Sequence, residues 1–384
     1  MDRTAWESFL HRWNEELLAT GVEPDSMLDK PVTDGWLGYS PASAEQVRAA
    51  EERLGCTLPP SLREFLLVTD GWQAAGAFGG EVRGAGELGW LRDLDPMWSE
   101  AYDDIDVFAD EVAALRRGLM ISEGADAGVL FLDPGDVDDK GEWAAYELFS
   151  WSGSGPERHG SFHELMYDLC AGFHTLDRPQ CQTQREWDAK IEQARLAILS
   201  GEIDEPLAVL EEAQRFGRDR ASVLSFQVKT VLGHADVGRL IDSPLSRGEG
   251  KKATWTLDAA LLSAEMLPVL FAEHHRNDRY LHQSALDSLR QYGTEPVKQL
   301  IADYRARMGA PGFRMSYGPP EFDAAVRAID PAGGDAWPRL REALALWRPL
   351  SEDHVAPACL MADPRIAPLI TPDRGREILA MRRG

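Results

Sequence analysis

The strongest constraint on the fold is a run of mutually consistent local signals between Ser43 and Trp72. Ser43 precedes a stretch whose apolar residues recur at helical spacing, and Gly55 follows it, so the pattern predicts an amphipathic helix capped at both ends. Pro59 and Pro60 suit the first turn of a second helix, because proline lacks a donor that this turn leaves unpaired. Together these signals predict a helix, a tight break and a second helix.

This run, residues 54–72, resembles the amino-terminal signature of the SUKH superfamily. Four later segments fit the same family pattern in the same order: residues 118–124, 129–134, 141–143 and 161–165. The resemblance covers roughly residues 1–176. It implies an α+β domain with a mixed, mainly antiparallel sheet and packed helices. Bacterial members are mostly immunity proteins that bind secreted polymorphic toxins, so the resemblance implies a binding protein without catalytic residues.

The domain organisation follows from length and from the distribution of strand signals. A chain of 384 residues is expected to form about two domains. Residues 1–180 carry the strand signals and form the predicted SUKH-like domain, and residues 174–186 lack an apolar period. Residues 186–384 show only helical patterns without a fixed repeat, so they predict an all-α second domain of unknown role, with a possible break at 309–320.

The negative charge is concentrated in the first domain. The whole chain has a formal net charge of −24, and residues 1–180 hold 35 Asp and Glu against 13 Lys and Arg. Such a field repels nucleic acid and anionic membranes and accelerates association with a basic partner. The simpler interpretation is that the acidity only keeps the protein soluble, but the asymmetry favours a partner surface.

The remaining composition predicts a cytoplasmic protein. No apolar run approaches the roughly 20 residues that span a bilayer, and the acidic start does not resemble a signal peptide. Scattered cysteines without a CxxC pair are typical of reduced, structural thiols. These cysteines are Cys56, Cys170, Cys181 and Cys359.

A dense acidic stretch supplies half of the candidate partner-binding residues. These are Asp103, Asp104, Asp106, Asp110 and Glu111. Three interpretations stay open: a solvated acidic face, a surface for a basic toxin, and a magnesium site. The magnesium interpretation is the least favoured, because no basic or phosphate-binding motif accompanies the carboxylates.

Residues 136–147 nearly match a calcium-binding loop, with acids at positions 1, 3 and 12 and glycine at position 6. Lys140 occupies position 5, where an oxygen ligand is required, and the flanks have strand patterns. We therefore predict a hairpin tip in an acidic rim, which makes Asp136, Asp138 and Asp139 further candidate partner-binding residues.

No other pattern predicts a metal, a cofactor or an active site. The histidines lack ligand spacing and are interpreted as ordinary surface residues: His234, His274, His275 and His282. Ser154 lies in a flexible glycine-rich turn rather than in a nucleophile elbow. No P-loop and no dinucleotide fingerprint is present.

Eight of the twelve tryptophans fall within residues 1–151. The preferred interpretation of four of them is core or sheet packing: Trp72, Trp90, Trp143 and Trp151. Because tryptophan is enriched at binding hot spots, Trp72 and Trp98 are also the candidate partner anchors.

The leading functional hypothesis is a non-enzymatic immunity protein whose first domain binds and blocks a basic toxin domain through an acidic surface. The alternative is an intracellular scaffold or regulator that binds partners through its helical domain. A third hypothesis, an unrecognised enzyme in the helical half, is supported by no motif. The sequence predicts no binding to nucleic acid or membranes, and it does not specify the oligomeric state.

Overall fold

The computed structural model describes residues 1–20, 34–76, 78–101, 109–123, 126–246, 253–277 and 284–381. Distances between Cα atoms divide the chain into two compact units, Met1–Gln182 and Thr183–Gly384. Within the described ranges, no helix combines the length and the apolar character needed to cross a membrane.

The first unit contains both helices and strands. Its helices are α1 (Arg3–Leu18), α2 (Ala44–Leu54), α3 (Pro60–Leu66), α4 (Leu91–Leu94), α5 (Met97–Glu100), α6 (Ala109–Arg117) and α7 (Phe162–Asp177). Its strands are β1 (Glu81–Val82), β2 (Gly89–Trp90), β3 (Leu119–Met120), β4 (Ser122–Glu123), β5 (Gly128–Val137), β6 (Trp143–Phe149) and β7 (Glu157–His159). The predicted α+β class is therefore confirmed.

Five strands form one antiparallel sheet in the order β2-β3-β5-β6-β7, and β1 pairs separately with β4. The central pair is the β5–β6 hairpin, in which Phe131 lies opposite Tyr146 with the two rings stacked 5.1 Å apart. The apolar run at 128–133 predicts a buried strand that ends at Asp133-Pro134-Gly135. In the structure the register of β5 shifts between Asp133 and Val137, and the strand continues past this turn.

Each face of this sheet buries its own core, because successive side chains of a strand point to opposite faces. One face carries Leu130, Leu132 and Ala145 and packs against α1, α3 and α7. The other face carries Val129 and Phe131 and packs against α4, α5 and α6. The first unit is thus a sheet between two helical layers.

The local signals around the first break are confirmed. The Ser43 hydroxyl accepts a hydrogen bond from the Gln46 N–H, and the Gln46 side chain accepts one from the Ser43 N–H. Gly55 ends α2 in the left-handed conformation at a φ of 73°, and Pro60 occupies the first turn of α3. The sequence therefore specifies both helix ends directly.

We expect the substitution Ser43→Ala to lower the free energy of unfolding of the first unit by about 1 kcal/mol, the usual contribution of such a cap. Urea unfolding followed by tryptophan fluorescence would measure it. Ser8→Ala is the matched control, because the exposed Ser8 hydroxyl only donates to the Thr4 carbonyl within α1. A loss no larger than that of the control would contradict the capping assignment.

An ion pair between the buried Asp133 carboxylate and the partly exposed Arg117 side chain joins α6 to the sheet. Asp133 is completely buried and accepts two hydrogen bonds from the Arg117 guanidinium, at 2.5 and 2.6 Å, and one from the Gly135 N–H at 2.8 Å. The carboxylate raises the pKa of Arg117. The pair thus holds a helix of the second layer to the irregular part of β5.

The second unit is helical throughout its described residues, as predicted. Its α-helices are α8 (Gln182–Ser200), α9 (Asp204–Arg215), α10 (Asp219–Val231), α11 (Arg239–Ser246), α12 (Ala259–Leu261), α13 (Leu267–Asn277), α14 (Ala285–Tyr292), α15 (Glu295–Met308), α16 (Pro320–Arg327), α17 (Ala336–Leu344) and α18 (Pro372–Ala380). Helix α8 begins in unit one by a single residue. Two short 3₁₀ segments, Ala358–Ala362 and Ala367–Leu369, precede α18.

The sequence pattern predicts that the last helix of the first unit ends near Gly172, and this end needs correction. Helix α7 runs to Asp177, because it continues to bury Phe173 and His174. The sequence pattern does not indicate α11, because this helix is short and contains Pro244. The pattern also predicts a helix at 280–292, of which residues 280–283 lie outside the described residues and Ala285–Tyr292 is helical.

One π-helical turn, Leu262–Met266, connects α12 to α13 and places Glu265 in the core. The Glu265 carboxylate accepts a hydrogen bond from the Cys359 N–H at 2.8 Å, and its other oxygen lies 3.0 Å from His354 Nε2. His354 Nδ1 accepts from the Leu350 N–H at 2.9 Å. This buried group, called the Glu265 network below, ties the π turn to residues 350–359.

Candidate functional site

The acidic tip of the β5–β6 hairpin is the described part of the predicted partner surface. Asp138 accepts hydrogen bonds from the Lys140 and Glu142 N–H groups, both at 2.8 Å, and Gly141 completes the turn at a φ of 82°. The predicted hairpin is therefore confirmed. The Asp138 carboxylate stabilises the turn itself.

The other two carboxylates of the tip differ in their environment. Asp136 forms an ion pair with Arg158 at 2.7 Å, and this hydrogen bond lowers the pKa of Asp136. Asp139 is exposed. Since Asp136 and Asp138 are already engaged within the fold, the three carboxylates do not converge on one point as the ligands of a calcium ion must.

The remaining acidic candidates are not described in full. Asp103, Asp104 and Asp106 lie outside the described residues. Asp110 and Glu111 lie at the beginning of α6, of which only the backbone is described at these positions. Their role in binding stays a prediction.

The assignment of Trp72 and Trp98 as partner anchors is wrong, because both side chains are buried. Trp72 is 0% exposed, packs against Trp13 and Trp36, and donates its indole N–H to the Ala74 carbonyl. Trp98 is 9% exposed and belongs to the core of the second helical layer. Neither ring has a surface to offer a partner.

An exposed aromatic patch that the sequence pattern does not indicate is formed by Phe78, Phe149 and Trp151. Phe149 and Trp151 are stacked with ring centroids 5.2 Å apart, and Phe78 meets Trp151 edge-on at 5.3 Å. Trp151 is 55% exposed and Phe78 40% exposed. Core packing, the predicted role of Trp151, is therefore wrong for this residue.

The fold positions the patch at one end of the central hairpin. Phe149 lies opposite Gly128, and a Cβ atom at Gly128 would come within 2.2 Å of the Phe149 ring. Glycine at this position therefore lets the ring lie across β5. The Trp151 indole N–H donates to the Asp126 carbonyl at 2.9 Å, and the Asp126 N–H donates to the Phe78 carbonyl at 2.9 Å.

Carboxylates border the aromatic patch. Glu147 precedes Phe149 by two residues and so lies on the same face of β6. Glu157 on β7 is its cross-strand partner, and Asp126, which supports two of the rings, is exposed. The sequence contains one indication that this end of β6 is exposed. Glu147 is a charged residue on the same face of the strand as Trp143 and Ala145, which are buried.

The structure also brings together one group of ligand-type side chains that sequence spacing does not suggest: Glu16, His174 and Cys181, with the relevant atoms within 4.8 Å of one another. The imidazole lies between its partners, with Nε2 3.2 Å from Glu16 Oε2 and Nδ1 3.9 Å from Cys181 Sγ. One ion cannot be bound through both nitrogens of one ring. The arrangement is therefore a buried polar contact rather than a formed metal site.

The other described histidines and thiols belong to no group of ligand-type side chains. His274 Nδ1 lies 2.9 Å from the Ser284 hydroxyl, His234 and His275 are exposed, and His282 lies outside the described residues. The four cysteines are free thiols. Burial raises the pKa of Cys56 and of Cys170, so neither is activated as a nucleophile.

Comparison with known families identifies the first unit. Residues 41–168 match the model of the SMI1 / KNR4 family (SUKH-1), which confirms the SUKH superfamily resemblance. This family is associated with immunity proteins, and its domains are generally non-catalytic. No curated protein and no solved structure matches the chain.

Proposed function

We propose, from the SUKH-1 family match of residues 41–168, that the protein is a non-enzymatic immunity protein whose first unit binds and blocks a basic toxin domain. The aromatic patch carries this proposal. It places large rings in solvent, bordered by carboxylates, on the unit that holds nearly all of the net negative charge. The proposed site of action is the cytoplasm.

The aromatic patch supplies the apolar centre of an interface, which charge alone does not provide. Tight protein interfaces have a desolvated centre rich in aromatic side chains, while charges at the rim mainly set association rate and specificity. Phe78 and Trp151 are large and already exposed, so a partner can bury them without unfolding the unit. The rings support one another by stacking, which limits the side-chain entropy lost on binding.

The acidic hairpin tip has a separate role in this proposal. It lies at the far end of β5 from the patch, roughly 30 Å away at the usual rise of a strand. We assign Asp139 at the tip, and the undescribed acids Asp103, Asp104 and Asp106, to long-range attraction of the basic partner. Carboxylates there imitate the charge of a phosphate backbone.

The test uses basic toxin domains encoded in the same genome, with rescue from growth arrest and surface plasmon resonance as readouts. We expect the double substitution Phe78→Ser and Trp151→Ser to abolish rescue and to weaken binding by about 100-fold, mainly through faster dissociation, as loss of two hot-spot residues does. We expect Asp139→Lys to slow association instead, with a smaller effect at high salt.

The matched control is Leu176→Ser on α7, an apolar side chain that is also 55% exposed but does not belong to the aromatic patch. Full rescue by the double variant would exclude the patch as the binding centre. Absence of binding to every basic toxin domain by the wild-type protein would refute the proposed function.

A further inference from the structure

The second unit contains a groove of about 560 Å³. Helices α13 and α15, the loop before α16, and the end of the first 3₁₀ segment form its walls. Aromatic and apolar side chains line one side: Phe271, Tyr304, Met308 and Phe313. This volume lies within the range of natural small-molecule sites, about 300–1,000 Å³.

Three arginines, Arg314, Arg327 and Arg365, line the same groove, together with His275 and one carboxylate, Asp363. Asp363 pairs with Arg365, and Asp323 pairs with Arg327. The groove therefore keeps one positive charge in excess, on Arg314, although the whole protein carries a net charge of −24. A bound anion would compensate this charge.

The fold holds two of these arginines in place and leaves donors unused. Arg365 donates through one terminal nitrogen to Asp363 at 3.1 Å and to the Tyr317 hydroxyl at 3.3 Å. Arg327 donates to both oxygens of Asp323 and to the Met315 carbonyl. Since a guanidinium has five N–H groups, each arginine keeps donors for a ligand.

Arg314 is the most available of the three. It is exposed, and no hydrogen bond or ion pair joins it to another residue of the described chain. Its neighbour Phe313 meets Tyr304 edge-on with ring centroids 6.1 Å apart, and Tyr304 lies 5.2 Å from Phe271. An unpaired guanidinium thus stands next to an aromatic wall.

Residues at the base of the groove contact the Glu265 network. Tyr317 is 2% exposed and is hydrogen-bonded to Asp363, and its carbonyl lies 3.9 Å from Cys359 Sγ. Cys359 is in turn bound to Glu265 in the π turn directly before α13. Short π turns occur frequently at functional sites, and this one fixes two walls of the groove against each other.

We propose that this groove binds a small organic anion, a carboxylate or a phosphate ester carried on a planar ring. The ring packs against Met308 and Phe313, which are half-buried, while Phe271 and Tyr304 behind them are only 4% and 5% exposed. The anionic group accepts hydrogen bonds from Arg314 and Arg365. A planar fork of donors suits both carboxylate and phosphate oxygens. The proposal is independent of toxin binding by the first unit.

Isothermal titration calorimetry of the full-length protein tests it with two anions, adenosine monophosphate and indole acetate, and with their neutral counterparts adenosine and indole acetamide. We expect at least one anion to bind with a Kd of roughly 100 µM or below, and its neutral counterpart to bind at least about tenfold more weakly. Binding of the phosphate alone indicates a nucleotide ligand, and binding of the carboxylate alone indicates an aromatic acid.

Arg314→Gln is the primary variant, because Arg314 has no partner in the described fold whose loss would unfold the unit. We expect it to weaken anion binding by about tenfold, the loss of one charge-assisted contact. Arg339→Gln is the control, since Arg339 is an exposed arginine of α17 that pairs with Asp335, the residue directly before this helix. The proposal is overturned if neither anion binds below 1 mM, or if Arg314→Gln binds as tightly as the wild-type protein.

Discussion

Arg117→Met is expected to lower the free energy of unfolding of the first unit by about 2–3 kcal/mol, because the buried Asp133 carboxylate loses its charged donor, while the 43% exposure of Arg117 screens part of the interaction. Methionine preserves most of the apolar stem, so the effect isolates the guanidinium. Asp133 would keep only the hydrogen bond from the Gly135 N–H while remaining buried. Urea unfolding followed by tryptophan fluorescence measures the loss, because most tryptophans lie in this unit.

Two further variants define the cause. Arg117→Lys keeps the charge but loses the two parallel hydrogen bonds, so we expect an intermediate loss of stability. Arg92→Met removes a guanidinium from an exposed and longer ion pair, 3.8 Å from Asp93, and is expected to change the stability little. Equal stability of the Arg117→Met and Arg92→Met variants would show that the pair of Arg117 with Asp133 contributes nothing specific.

The substitution Glu265→Gln is expected to lower the free energy of unfolding of the second unit by about 2–4 kcal/mol, although the side-chain volume hardly changes. His354 Nδ1 accepts a hydrogen bond from the Leu350 N–H, so the neutral ring carries its proton on Nε2. Glu265 accepts a hydrogen bond from the Cys359 N–H, and its other oxygen lies 3.0 Å from His354 Nε2. A glutamine amide would place its NH₂ group against one of these two nitrogens.

The matched control is Glu295→Gln, which changes the same functional group in an exposed salt bridge of α15 with Lys298. We expect this control to unfold like the wild-type protein. Thermal unfolding monitored by circular dichroism at neutral pH compares the variants. If Glu265→Gln is as stable as Glu295→Gln, the Glu265 network is not the electrostatic anchor of the π turn.

The parts of the fold that sequence predicts well depend on neighbouring residues. A cap at Ser43, a left-handed glycine at Gly55 and a proline in the first turn of α3 act within a few residues, so their signals can be read from the chain. The apolar runs of β5 and β6 are equally local. By contrast, Pro244 concealed α11, because surrounding packing overrode a poor helical pattern.

The tryptophans show where local reasoning fails. Trp72 and Trp151 each lie within two residues of a glycine, yet one is fully buried and the other is more than half exposed. The difference depends on where the layer of α1, α3 and α7 stops covering the sheet, and this is a property of the whole unit. Residue type alone could not distinguish a core ring from a surface ring.

The spacing of residues in the sequence also could not predict the aromatic patch at the end of the sheet or the Glu265 network beneath the groove of the second unit. Glu265 and Cys359 are joined by a hydrogen bond but separated by 94 residues along the chain. Likewise, Phe78 reaches Trp151 only because the sheet folds between them. Clusters assembled from distant segments leave no periodic signal, so only the three-dimensional structure reveals them.

The π turn at Leu262–Met266 also sets the rotational phase between the two halves of its helix. An α-helix turns by roughly 100° per residue, so deleting one residue here would rotate Leu261 out of the core while Phe271 and His275 kept their places at the groove. Surface loops tolerate changes of length at little cost. This helix does not, and we expect its residue count between Leu261 and Leu267 to be fixed across functional relatives, whatever happens to the surrounding loops.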